Sequence, residues 1–248
     1  MTTGRDIKKK VVGAVAVCAV SMMGASVQAK DIAGVLLVDG SGSINSGDFA
    51  LQVEAYGKIF KDSFFTNYMN VGDSLKVAAY QFSGLGGVVQ EIGFTNITDD
   101  ASAATFGAGF TSVGGTSIWN QGTGTTPTGT ATQVAKDALL NLGGSYDSMF
   151  IDVSTDGVPV PDSQAPLAIA QAADAFANGI KVNAIGVGGV DAAFLAAYTT
   201  AGGGFFLEAN SFVEFEDTLR RKINREITGK RKGKERNKKE KKRKRKMK

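Results

Sequence analysis

Asp39, Ser41 and Ser43 stand at every second position where an apolar run closes, in Val35-Leu-Leu-Val-Asp-Gly-Ser-Gly-Ser-Ile44. That spacing can aim one carboxylate and two hydroxyls at a single point just past the end of a buried strand. An oxygen-only cluster of this kind suits a hard divalent cation, Mg²⁺ first, with Mn²⁺ or Ca²⁺ as alternatives. An ion held mainly by neutral hydroxyls stays electrophilic, so it can attract an acidic group from another molecule. Two distant segments add oxygens. Gly124-Thr-Thr-Pro-Thr-Gly129 stands before a helical pattern and offers Thr126. Ser154-Thr-Asp-Gly157 follows another apolar run and offers Asp156. The bland reading of Asp39-x-Ser-x-Ser is a strand-to-helix turn with ordinary capping, and the two matching segments argue against it.

Taken in this order, Asp-x-Ser-x-Ser, a Thr before a helix and an Asp in Thr-Asp-Gly resemble the metal-ion-dependent adhesion site of von Willebrand factor type A (VWA) domains. The resemblance spans Asp31 to about Gly229. Three stretches are similar to an uncharacterised group of secreted bacterial proteins of that superfamily: Phe49 to Tyr56, Ile151 to Gly157 and Leu219 to Ile227. The resemblance implies direct metal contacts from Ser41 and Ser43. It implies direct or water-mediated roles for Asp39 and Asp156, and a contact from Thr126 once ligand is bound. One coordination position would stay open for an acidic side chain or phosphate of a protein or polymer partner. The implied function is secreted, divalent-cation-dependent binding without catalysis.

Four points stay open at this level. Thr116, in Gly115-Thr-Ser117, rivals Thr126 as the metal-site threonine, although spacing to the following helix favours Thr126. Trp119 is the only tryptophan and sits in the Gly/Thr/Ser-rich stretch 111–130. It is a candidate for the ligand rim with Thr116, or a residue that pins the stretch to the body. Asp152 falls inside an apolar run, where a carboxylate needs partners. A hydrogen-bonded structural role or a place behind the metal ligands would each supply them. A Mg²⁺-dependent phosphoester hydrolase is the alternative chemistry. Against it, Ser41 occupies the position where aspartyl-phosphate enzymes usually place a second acid.

Composition narrows the chemistry further. The 248 residues contain no histidine and a single cysteine, Cys18. That excludes the Ser-His and Cys-His nucleophile pairs and most zinc chemistry. Residues 1–29 read as a signal peptide: a basic start (Arg5, Lys8 to Lys10), the apolar Val11 to Ala25, and Val27-Gln-Ala29 as a cleavage site. This implies a periplasmic or extracellular protein whose mature chain has no thiol. Charge is segregated. Lys30 to Leu219 hold 6 basic and 20 acidic residues, a net of −14, whereas Arg220 to Lys248 hold 18 basic and 3 acidic, a net of +15. Residues 229–248 form a polybasic tail with too little apolar surface to fold alone. It suits an anionic surface polymer or lipid, nucleic acid without sequence selection, the acidic body itself, or no partner at all.

The elements that must position the oxygens follow from periodicity. Apolar runs rich in β-branched residues alternate with helical stripes. This predicts an α/β fold with a doubly wound, mostly parallel sheet, one antiparallel edge strand and helices on both faces, over residues 30–228. Strands are predicted at 35–38, 75–82, 88–94, 149–154, 180–187 and 205–208. Helices are predicted around 49–60, 103–110, 130–142, 166–178, 192–199 and 212–227, with Ser46 or Asp48 capping the first. Ligands of such sheets bind beyond the carboxyl ends of the strands where strand order reverses, and Asp39 and Asp156 would follow central neighbours.

Overall fold

The computed structural model describes residues 28–84, 87–110, 119 and 122–228. The signal-peptide reading falls almost wholly on residues outside these. So do Thr116 and the tail from 229 onward. Six strands form one sheet: β1 (Asp31–Asp39), β2 (Ser74–Ser83), β3 (Gly87–Ile97), β4 (Ser148–Thr155), β5 (Ile180–Val187) and β6 (Phe206–Ala209). Their spatial order is β3-β2-β1-β4-β5-β6, with β3 antiparallel at one edge and every other pairing parallel. Strand order reverses at β1, which lies between β2 and β4. The expected architecture is therefore the observed one.

Alternation along β1 explains how one strand serves two cores. Ile32, Leu36 and Val38 point to one face, and Ala33, Val35 and Leu37 to the other. The first face packs against α1 (Ser46–Lys61), α2 (Phe64–Tyr68), α3 (Asp100–Ala108) and α7 (Phe215–Thr228). It is aromatic: Tyr56 stacks on Phe110, and Phe60 stacks on Phe64 and meets Phe106 edge-on. The second face packs against α4 (Thr128–Leu140), α5 (Gln164–Ala177) and α6 (Ala192–Ala201). Its helices carry alanine inward at 131, 135, 168, 172 and 175, which lets them sit close to the sheet and to each other. A Cβ at Gly129 would lie 2.8 Å from the Ala168 nitrogen. This close approach brings the start of α4, and Thr126 just before it, onto the loop after β4.

Two local details differ from the sequence expectation. α1 is capped by Asn45, whose side chain accepts from the Asp48 N–H at 2.9 Å, and not by Ser46 or Asp48. Asn45 holds the extended conformation that a cap needs, whereas Ser46 is already in the helix. The short helix α2 has no apolar stripe of its own length and was not expected; buried Phe64 anchors it in the core, with Phe65 and Tyr68 packed against the same cluster.

Candidate metal site

The crevice is built at the carboxyl ends of β1 and β4, which pair in parallel through Val38 and Ser154. Asp39 ends β1, and its carboxylate accepts from the Ser41 N–H at 2.8 Å and from the Thr155 hydroxyl at 2.5 Å. Gln52 of α1 donates to the Asp39 carbonyl at 2.8 Å, fixing the backbone as it leaves the strand. The hydroxyl oxygens of Ser41 and Ser43 lie 3.1 Å apart. Thr126 donates to the Ser41 hydroxyl oxygen at 3.1 Å, and Ser43 donates to Asp156 at 2.7 Å. Five side chains from three segments thus converge: Asp39, Ser41, Ser43, Thr126 and Asp156.

Glycines allow the loops to close this tightly. The Gly42 N–H bonds to the Gly124 carbonyl at 3.2 Å, and a Cβ at Gly42 would meet that backbone at the same distance. A Cβ at Gly157 would stand 3.4 Å from both the Ser43 and the Thr126 hydroxyl oxygens, so the missing side chain leaves the cluster open on that side. A Cβ at Gly84 would fall 2.4 Å from the Thr125 nitrogen; Gly84 is what lets the end of β2 support the Thr126 loop.

Electrostatics mark the same spot. Asp39 is fully buried. Burial pushes its carboxyl up to about 6, against the pull of Thr155 and Ser41, and the Asp156 charge raises it further. No base is among the groups that act on it. Burial likewise raises half-buried Asp156, with Ser43 opposing. Two carboxylates and three hydroxyls face one another, with no Lys or Arg among the groups that act on the acids, and form an acidic, oxygen-lined cradle. Among the described residues no group of three or more His, Cys, Asp or Glu side chains gathers. Any ion here would be held largely by hydroxyls, which fits a hard cation and not a soft one. In that arrangement Ser41, Ser43 and Thr126 would supply hydroxyl oxygens, and Asp39 and Asp156 the negative charge.

Two candidates lie elsewhere. Trp119 packs into the body: it is 5 % exposed, donates to the Gly109 carbonyl at 2.7 Å and stacks on Phe110 at 5.1 Å. The aromatic wall around α3 offers the large ring more burial than the crevice edge does. Asp152 faces the other way from the crevice oxygens. It is buried in mid-strand, pairs with Lys222 of α7, and Lys222 also bonds Glu226 at 2.8 Å. All three side chains are at most 2 % exposed. Burial raises both acids, Asp152 against the pull of Lys222 and Glu226 to about 8 with the Asp152 charge adding to it. Lys222 stands next to buried Ile223 in α7, and sequence spacing does not reveal that it turns inward. A raised carboxyl binds its proton more tightly in the folded chain, so its contribution to stability is present below pH 4.5 and is lost as pH rises through about 8. Glu226→Gln is expected to match the parent at pH 5 and exceed it by about 1–3 kcal/mol at pH 9, as read from urea denaturation at both values.

Thr155 was missed from sequence. It sits next to Asp156 and points back to Asp39, and its hydroxyl also accepts from the Gly157 N–H at 3.1 Å. A hydroxyl one position before the acid of a Thr-Asp-Gly turn was the available signal.

Comparison with known proteins agrees on the fold. A family model described as "Protein of unknown function (DUF1194)" matches residues 29–231. The chain belongs to the DUF1194 family. No curated protein matches it. Among solved structures, proximal thread matrix protein 1 from the mussel byssus superposes with a TM-score of 0.59 at 16 % identity, covering 80 % of this chain and 47 % of that one. A form of the same protein with a zinc-occupied MIDAS motif gives 0.58 at 20 % identity, covering 79 % and 48 %. Manganese-loaded TRAP from Plasmodium vivax gives 0.53 at 16 % identity, covering 77 % and 72 %. The chain spans about half the length of the mussel protein. These likenesses establish the VWA fold for this DUF1194 member, whose neighbours include metal-occupied examples.

Proposed function

We propose that this DUF1194 protein is a divalent-cation-dependent binding module that engages an acidic group of a partner through Mg²⁺ or a similar hard ion. The observation that carries this reading is the convergence of Ser41, Ser43, Thr126 and Asp156 on one point beside the buried, base-free Asp39. When bound, the cation would act as a Lewis acid toward a carboxylate or phosphate oxygen. The chain's own part is to hold the hydroxyls together, orient Asp39 through Thr155 and the Ser41 N–H, and leave the Gly157 side open. Binding without catalysis fits the absence of histidine and the engagement of both Asp39 oxygens by donors. The signal-peptide reading of residues 1–29 supports action outside the cytoplasm, and no helix among the described residues is long and apolar enough to cross a membrane.

The test is thermal unfolding with Mg²⁺ against chelator at two pH values. At pH 7 Asp39 is largely ionised and lacks a counter-charge, so Mg²⁺ should raise Tm clearly. At pH 5 the ion must displace a proton from a carboxyl whose range is about 6, so the rise should shrink. No rise at pH 7 contradicts the reading.

A further inference from the structure

The loops after β1, β4 and β5 that frame the crevice carry acids and no bases, and the Thr126 loop carries no charge. Asp39, Asp48, Asp156, Asp162 and Asp191 follow or flank the carboxyl ends of β1, β4 and β5. Lys and Arg are absent from 31–57, 77–135, 137–180 and 182–219, the spans that supply every one of those loops. A bound divalent ion would be a single point of positive charge on a negative face. The complementary ligand is therefore not a generally acidic molecule, which the rim would repel. It is a lone carboxylate set among cations.

The chain carries that pattern itself. Residues 229–248 hold 14 basic residues and only two acids. Each acid is flanked on both sides by a base, in Lys234-Glu235-Arg236 and Lys239-Glu240-Lys241. The fold fixes where this segment starts. Lys222 of α7 meets Asp152 in the middle of β4, after α7 has begun beyond the end of β6. The helix runs on for six residues to Thr228, about 9 Å further from the crevice end. The tail is thus rooted at the pole opposite the crevice.

Resting on the cation-dependent reading above, we propose that Glu235 or Glu240 of one copy docks into the crevice of a second copy, with the flanking bases meeting the acidic rim. Reach argues for a second copy over the same one. Seven residues separate Thr228 from Glu235, about 25 Å at full stretch, while β4 alone spans about 26 Å. Glu240, twelve positions on, has about 43 Å at full stretch and must spend more than half of it to climb the body. In trans neither carboxylate needs to be stretched. The contact is head-to-tail, so it need not close and can extend into chains.

Sedimentation velocity of the full chain over a range of concentrations tests this, with Mg²⁺ or chelator, beside an E235Q/E240Q variant. Calorimetric Mg²⁺ titration is run on the same samples. Mass should grow with concentration in Mg²⁺ and return to the monomer in chelator. The double variant has a more basic tail, so plain charge attraction to the acidic body would strengthen association. A carboxylate on the ion requires the opposite: association at least tenfold weaker with Mg²⁺ binding unchanged. Association as strong in E235Q/E240Q as in the parent overturns the proposal. So does a monomer that binds Mg²⁺, which leaves the cation-dependent reading standing. Absence of Mg²⁺ binding removes that reading and this inference together.

Discussion

Replacing Lys222 by methionine is expected to cost about 3–5 kcal/mol of stability, read as a lower urea midpoint. The ammonium is the only cation in contact with Asp152 and Glu226 among the described residues, and it is wholly buried with both acids. Methionine keeps much of the volume but leaves two carboxyls facing each other in the core. They can survive only by holding protons, and Tyr56 and Asn183 can offset little of the charge. The loss should therefore be larger at pH 8 than at pH 5, where protonation relieves the pair. A change under about 1 kcal/mol at both values would mean that Lys222 does not hold α7 to the sheet. A typical domain is stable by about 5–15 kcal/mol in total, so this one residue governs much of the margin.

Asp39→Asn is expected to separate fold from function. In chelator it removes an uncompensated buried charge, so at pH 7 the variant should be as stable as the parent or slightly more so. In Mg²⁺ the stabilisation seen for the parent should vanish, with affinity down by about 100-fold or more. Thr155→Val tests the support behind it. Loss of the 2.5 Å hydrogen bond to Asp39 should weaken Mg²⁺ binding by about 10–100-fold while the crevice loops stay folded. Calorimetry on both variants gives the answer. If Asp39→Asn unfolds the protein even in chelator, Asp39 acts as a structural anchor and its proposed part at an ion is wrong.

The sequence made the strands and the crevice oxygens readable for different reasons. The run 180–187 and the ends of β1 and β4 were legible because β-branched residues stop abruptly at polar turns. The order of Asp39, Ser41 and Ser43 was legible because a two-residue period survives folding unchanged. The pairing of Lys222 with Asp152 was not, since the two are 70 positions apart and nothing local in an amphipathic helix shows which cation turns inward. Trp119 was legible in part: a lone tryptophan suggested a residue that pins its stretch to the body, but its partners, Phe110 and the Gly109 carbonyl, lie in a preceding segment that spacing does not name. Thr155 was not legible because nothing local in Ser154-Thr-Asp-Gly157 shows which oxygen turns back to Asp39.

The most direct test is a Mn²⁺ titration followed by electron paramagnetic resonance, in which free ion gives a signal and bound ion does not. One Mn²⁺ should bind per chain at neutral pH, be displaced by Mg²⁺, and be lost when Ser41 is replaced by alanine. Mn²⁺ that stays free in the presence of the folded parent chain, or that binds the Ser41→Ala variant equally well, would contradict a cation held by the oxygens of the crevice.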